Sequence, residues 1–402
     1  MAEALHSCTF GCSIKKKLMN RVKYSQDTLT HVLCTFVFAL FSFFYLYYYQ
    51  ADLMTIMQHV LSEGQTHYNH FVGAVLITIV LLLIQVGVVR LFQRMRLAWA
   101  FTFIPSTLLL AMITDVSQSG VASNGFIEFG WGGYVLPLCL ISYFVVVWLL
   151  NTSGMAEKYS HVFMDQTRQL WVSLSVMLLM MLFVCGWGNS DRVFHDRIHV
   201  EQCLVDNDVD EALRTLQQHS DADENLTMLT AYTLSRKGLL AERLFEFPLK
   251  GGSASLMPNG NNVGFGLLAD TTFYAYLGNA YLQRMSTMHY LDYQRRHKRL
   301  NRRTIDYQLC AYLMDKKLDA FAHNITKYYE VNDSVKLPKH YKEALILYTH
   351  LHSNPCIVYH DNVLDADFED MQKLEKSIAD ARERQTALRD TYGNTYWYYY
   401  MY

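Results

Sequence analysis

Residues 71–91 read FVGAVLITIVLLLIQVGVVRL, and this stretch decides how the first half of the chain folds. No charged side chain interrupts it before Arg90. A helix needs about 20 apolar residues to cross a hydrocarbon core, and this run supplies them. Four similar runs flank it: Thr28–Tyr49 before it, and Leu97–Met112, Trp131–Leu150 and Leu170–Trp187 after it. The sequence therefore predicts five transmembrane helices. They form a membrane domain over 28–190, preceded by a basic tail over 1–27 and followed by a separate domain over 191–402.

The residues between the runs set the expected orientation. The tail carries Lys15, Lys16, Lys17, Arg21 and Lys23, and the loop to Glu63 and His70 has no Lys or Arg. Arg90, Arg94 and Arg96 follow the second run, the loop holding Asp115 and Glu128 again has none, and Lys158 and Arg168 precede the fifth run. Lys and Arg in short loops stay on the cytoplasmic side. The tail is thus expected in the cytoplasm and, after five crossings, residues 191–402 outside it. The basic tail and first apolar run imitate a secretory signal, but the run is too long and no Ala-x-Ala site follows. Tyr45, Tyr47, Tyr48 and Tyr49 read instead as an interface anchor of an uncleaved helix. Of the eight cysteines only Cys203, Cys310 and Cys356 fall in the outer domain, so no disulfide framework is expected.

After Trp187 the pattern changes to helical stripes. Val209, Leu213 and Leu216 share a face, as do Ile305, Leu309 and Leu313, and Tyr341, Leu345 and Tyr348. We read helical hairpins over 192–218, 224–246, 269–297, 301–329 and 338–352, with a long final helix over 366–390. Spacings near thirty residues suggest a repeat array. Tyr274-x2-Leu277-Gly278-x2-Tyr281 resembles the first helix of a tetratricopeptide repeat, with Tyr in place of Trp. The fold class expected is all-α: five membrane helices, then a tetratricopeptide-like helical-repeat domain.

Three segments carry a second resemblance: LeuPheGluPheProLeuLysGlyGly at 244–252 with Leu256-Met257-Pro258 after it, LeuProLysHisTyrLysGluAlaLeu at 337–345, and ThrTyrTrpTyrTyr at 395–399. They resemble an uncharacterised family of multi-pass inner-membrane proteins of Gram-negative bacteria, in which a membrane region precedes a tetratricopeptide-like region. The resemblance implies topology and fold class and brings no activity with it.

Several clusters invite chemistry. The glycine-rich stretch 250–266 lacks the Gly-Lys-Ser/Thr end of a phosphate cradle, so it reads as a connection between hairpins. His195 and His199 stand one turn apart without a placeable third ligand, and no metal or cofactor is expected. Asp52, Glu63, Asp115 and Glu128 occupy the two loops without basic residues, and a membrane enzyme acting on a lipid-linked substrate would draw on them. No Gly-x-Ser-x-Gly elbow is present. Arg295, Arg296, Lys298, Arg299, Arg302 and Arg303 form the densest charge in the chain. Outside the cytoplasm nucleic acid is not the partner of such a run, which leaves anionic head groups or a polyanion. Met371, Leu374, Ile378, Ala381, Gln385 and Leu388 alternate steps of three and four as a coiled-coil seam. The aromatic end around Trp397 is expected to pack back on the domain. The expected function is non-enzymatic: a bilayer-anchored protein whose outer domain binds a protein partner. The candidate contacts are Arg295, Arg296, Arg299, Arg302, Arg303, Leu374, Ile378 and Trp397.

Overall fold

The computed structural model describes residues 29–91, 99–116, 130–152, 166–218, 221–259, 262–278, 285–331 and 336–402. Among these residues every regular element is a helix or a short helical turn. The chain divides into two compact units, 1–191 and 192–402.

Four helices of the first unit are long and apolar enough to cross a membrane: α1 (Leu29–Tyr49), α3 (His70–Leu91), α5 (Gly132–Thr152) and α6 (Gln166–Trp187). The remaining expected span is shorter. A 3-10 turn, Trp99–Phe103, leads into α4, Ile104–Thr114, with Pro105 at its start, where the missing N–H costs nothing. The rises of the two geometries give about 26 Å. This segment is also the most enclosed. Ala100, Phe103, Pro105, Ser106, Thr107, Leu110, Ala111 and Thr114 are all buried, and the small residues let neighbouring backbones close in. The Ser106 hydroxyl donates to the Leu81 carbonyl at 2.7 Å, and Phe38 packs on Phe103.

Side-chain contacts fix the direction of each helix. At one end, Gln85 of α3 contacts His31 of α1 at 3.1 Å and Thr102 at 3.3 Å, and the Tyr143 hydroxyl of α5 donates to the Phe101 carbonyl. At the other end, Tyr45 of α1 contacts Thr114 and the Val184 carbonyl of α6, and the Asn189 N–H donates to the Thr114 carbonyl. The Asp115 carboxylate accepts from the Gly132 N–H at the start of α5. The five apolar helices therefore alternate in direction. Their outward faces carry exposed Leu, Ile, Val and Phe. Tyr48, Tyr49, Trp131 and Tyr134 are exposed at the Tyr45 end, and Trp148 and Trp171 toward the other. Between α1 and α3, Ala51–Leu61 forms α2, which buries Leu53, Met54 and Ile56.

The second unit holds α7 (Arg192–Val205), α8 (Val209–Gln217), α9 (Glu224–Lys237), α10 (Leu240–Arg243), α11 (Asp270–Tyr276), α12 (Thr287–Arg296), α13 (Arg302–Met314), α14 (Leu318–Tyr328), α15 (Lys339–Leu351), α16 (Asn362–Ser377), α17 (Ala381–Tyr392) and α18 (Tyr396–Met401). Side-chain caps start many of them. Asp208, Asp223, Asn301, Asp361, Asp380 and Thr395 each accept a backbone N–H of the turn that follows. Helices α9 and α13 are buried on nearly all sides and form the centre, with Tyr232, Phe273 and Tyr307 stacked edge to face between them.

Three expectations about this unit need correction. The final helix is not continuous over 366–390. Ile378 closes α16 in an extended conformation and Asp380 caps α17, so the heptad spacing ends at the break. Residues 338–352 form a single helix rather than a hairpin. The tetratricopeptide-like motif does not lie within one helix, because α11 ends at Tyr276 and Gly278 adopts φ +84°. Gly278 is suited to that left-handed turn rather than to close helix packing, and a Cβ there would meet the Asn301 amide at 2.6 Å. Tyr281 of the motif, the basic tail, Arg94, Arg96, Glu128 and Lys158 lie outside the described residues.

Candidate interaction surfaces

The glycine-rich connection is a packed part of the domain. Its short 3-10 turn, Gly252–Leu256, buries Ser253, Ser255 and Leu256. One acidic side chain holds the far end. Glu201 of α7 is fully buried and accepts from the N–H groups of Gly266 and Leu267 at 2.8 and 2.7 Å, with Leu268 at 3.4 Å. Arg197, one turn earlier, pairs with Glu201 at 3.4 Å and donates to the Gly264 carbonyl at 2.8 Å. A buried ion pair is tolerable only with its remaining hydrogen-bond capacity met, and here the loop backbone meets much of it. Asn225, Thr227 and Asp315 bind further N–H groups, of Gly264, Lys250 and Ser253. The glycine-rich stretch is thus held by its own domain.

A second buried acid holds the aromatic end. Glu343 of α15 accepts from the Tyr396 N–H at 2.7 Å and contacts His340 Nδ1 at 2.9 Å. The Phe245 N–H donates to His340 Nε2, so the proton of a neutral imidazole sits on Nδ1 and points to the carboxylate. Trp397 is 1% exposed, donates from Nε1 to the Glu343 carbonyl at 2.7 Å and packs on Phe368. The hydroxyls of Tyr396 and Tyr399 donate to the Leu313 and Met314 carbonyls, which close the C-terminal end of α13. The aromatic end is a helix docked on its own domain, and Trp397 is a core residue there. Leu374 is half-buried against the same core. Ile378 is half-buried at the α16–α17 break, where its carbonyl accepts from Arg384.

The arginine run bends around the α12–α13 turn. Arg295 pairs with Asp292 at 3.0 Å and donates to Asn324. Arg303 donates to the Tyr276 carbonyl at 2.8 Å and lies 4.2 Å over the Tyr276 ring. Arg296, Lys298, Arg299 and Arg302 are exposed. One turn into α13, Asp306 accepts from Tyr329 at 2.5 Å and Tyr341 at 3.1 Å, and burial raises its pKa above the usual carboxylate value against those bonds and the charge of Arg302.

The other sequence candidates come apart. His199 sits 3.8 Å from the Cys203 sulfur. Among the described residues no three His, Cys, Asp or Glu side chains gather closely enough to hold a metal ion. Cys203, Cys310 and Cys356 are free thiols. Asp115 caps α5, and Glu63 is exposed in a left-handed turn. A pocket beside Arg243, Glu246 and Asn394 has a volume of about 150 Å³, below the roughly 300 Å³ at which small-molecule sites begin.

Sequence reasoning passed over Arg197, Glu201, His340 and Glu343. Each pair is an i,i+4 or i,i+3 spacing common on helix surfaces, and the backbone groups it binds lie far away in the chain.

Residues 281–402 match a family of unknown function, DUF6057. That segment contains the basic turn and the docked aromatic end. No curated protein and no solved structure matches the chain.

Proposed function

We propose that the chain is a multi-pass inner-membrane protein of a Gram-negative envelope. Its apolar helices cross the bilayer five times, residues 1–27 lie in the cytoplasm, and residues 191–402 form a periplasmic domain that binds a protein partner without catalysis.

The alternating direction of the five apolar helices carries the topology. Because α4 runs from the Gln85 end of the bundle to the Val184 end, Arg90 at the close of α3 and Arg168 at the start of α6 fall at one end. Glu63 and Asp115 fall at the other. That division separates segments with basic residues from those without. Without α4 as a crossing, Lys158 and Arg168 would stand opposite Arg90. Exposed Trp and Tyr at both ends suit two head-group levels.

The partner surface is assigned to the α16–α17 hairpin. These helices bury only Phe368, Met371 and Leu388. Their exposed faces are rich in charge, among them Glu369, Asp370, Lys373, Lys376, Arg382, Glu383 and Arg389. A stripe this narrow holds the hairpin on the domain and leaves most of its surface open.

Alkaline phosphatase fused after Tyr402 should be active, and a fusion at Arg94 inactive. The reverse pattern would falsify the orientation. Capture of the full chain from mild detergent should retain a protein partner that is lost when Glu369, Lys376 and Arg382 are replaced by Ala. Retention by that variant would move the partner off the hairpin.

A further inference from the structure

The α12–α13 turn concentrates exposed cations. Between Tyr293 and Ile305 the chain carries Arg295, Arg296, Lys298, Arg299, Arg302 and Arg303 and no acid. Arg295 and Arg303 have structural work, on Asp292 and Asn324 and on the Tyr276 carbonyl and ring. Arg302 stands in the first turn of α13, which has no acidic residue. A cation there opposes the helix dipole, so helix stability does not explain it. Arg296, Lys298 and Arg302 are exposed on this one bend. Asp306, the acid one turn on from Arg302, accepts from Tyr329 and Tyr341 and also feels the charge of Arg302.

We infer that this turn binds the phosphate oxygens of an anionic lipid surface. Guanidinium groups match phosphate geometry in a way that a single ammonium does not, and Arg dominates the turn. Each Lys or Arg near an anionic leaflet adds attraction, which fades within about 10 Å. The chain supplies the proximity. Only residues 188–191 separate the end of α6 from the start of α7, so a domain anchored by α6 meets the bilayer surface as an intramolecular event at high effective concentration. The inference rests on the membrane reading above and is independent of the protein partner assigned to α16–α17.

The test places the full chain in nanodiscs of phosphatidylcholine alone and in nanodiscs containing phosphatidylglycerol. Hydrogen exchange is read at the peptide covering 295–303. Exchange should be several-fold slower in the anionic discs at low salt, and the difference should vanish at high salt. The Arg296→Glu, Lys298→Glu, Arg302→Glu combination should abolish the difference while the melting temperature stays near that of the parent. If the combination does not fold, Lys298→Glu alone should reduce the protection. Equal exchange in the two kinds of disc overturns the inference. Protection by inorganic phosphate in the neutral discs, equal to that in the anionic ones, also overturns it, because the turn would then be a site for free phosphate. A chain that does not co-purify with discs removes the membrane reading and this inference together.

Discussion

Asp306 shows how one buried carboxyl sets a measurable property. Its pKa is raised above 3.8 mainly by burial, against the lowering influence of two tyrosine hydroxyls and Arg302. A carboxyl raised in the fold stabilises fully below its unfolded value, and that contribution is lost as pH rises through the raised folded value. Asp306→Asn should therefore flatten the stability profile in the window just above 3.8 and leave the chain more stable than the parent near neutrality. Urea melts across that window would show it, and a profile parallel to the parent's would remove burial as the cause. Asp306→Ala should behave differently. It removes the carboxylate that accepts from the hydroxyls of Tyr329 and of fully buried Tyr341, which keeps only the longer bond to the backbone carbonyl of residue 306, at a cost of about 1–3 kcal/mol. None of this was legible in the sequence. The spacing around Asp306 does not show its burial, because the tyrosines that enclose it come from 329 and 341.

The elements were more legible than their ends. Continuous apolar runs announced the long helices because nothing but a bilayer or a deep core accommodates a helix apolar all round. Helix α4 was harder to judge, since a helix enclosed by its neighbours is short for a span and rich in small residues. The clearest miss is the break at 378–380. Asp380 and Arg384 read as an i,i+4 pair on a long helix. The same residues spell Asp380-Ala381-Arg382-Glu383, an N-terminal capping pattern that was there to be used. In the structure Asp380 accepts from the Arg382 and Glu383 N–H groups at 3.0 and 2.9 Å. Asp380→Ala should cost about 1 kcal/mol, where an exposed i,i+4 pair would cost no more than about 0.5. Leu374→Asp should lower the melting temperature by more, because Leu374 packs on the domain core. An unchanged melt for Leu374→Asp, with loss of a captured partner, would instead make that position part of the interface.

At the scale of the whole molecule, the sequence located the change of character after Trp187, and the structure places its division after Asp191. The fragment 192–402 should fold by itself, with a helical far-UV spectrum and cooperative melting. Trp397 is its only tryptophan, so its fluorescence reports the docked end directly: blue-shifted emission and weak quenching by iodide. Red-shifted, readily quenched emission from a cooperatively folded fragment would sink the docking on Glu343. A fragment without cooperative melting would show that the domain depends on the rest of the chain.

The docking of Tyr396 and Trp397 also has a consequence for biosynthesis. Their partners, Phe245, Leu313, Glu343 and Phe368, are made earlier. The core they complete stays open until residues 396–401 have left the ribosome. Glu201 imposes the same delay on a smaller scale, since the N–H groups it binds arrive about sixty-five residues later. Domains built from local contacts begin to close while the chain is still emerging. Here the aromatic surface of α13 and α15 lacks this cover until residues 396–401 emerge. A stalled or truncated product would expose that surface and become a ready substrate for quality-control proteases.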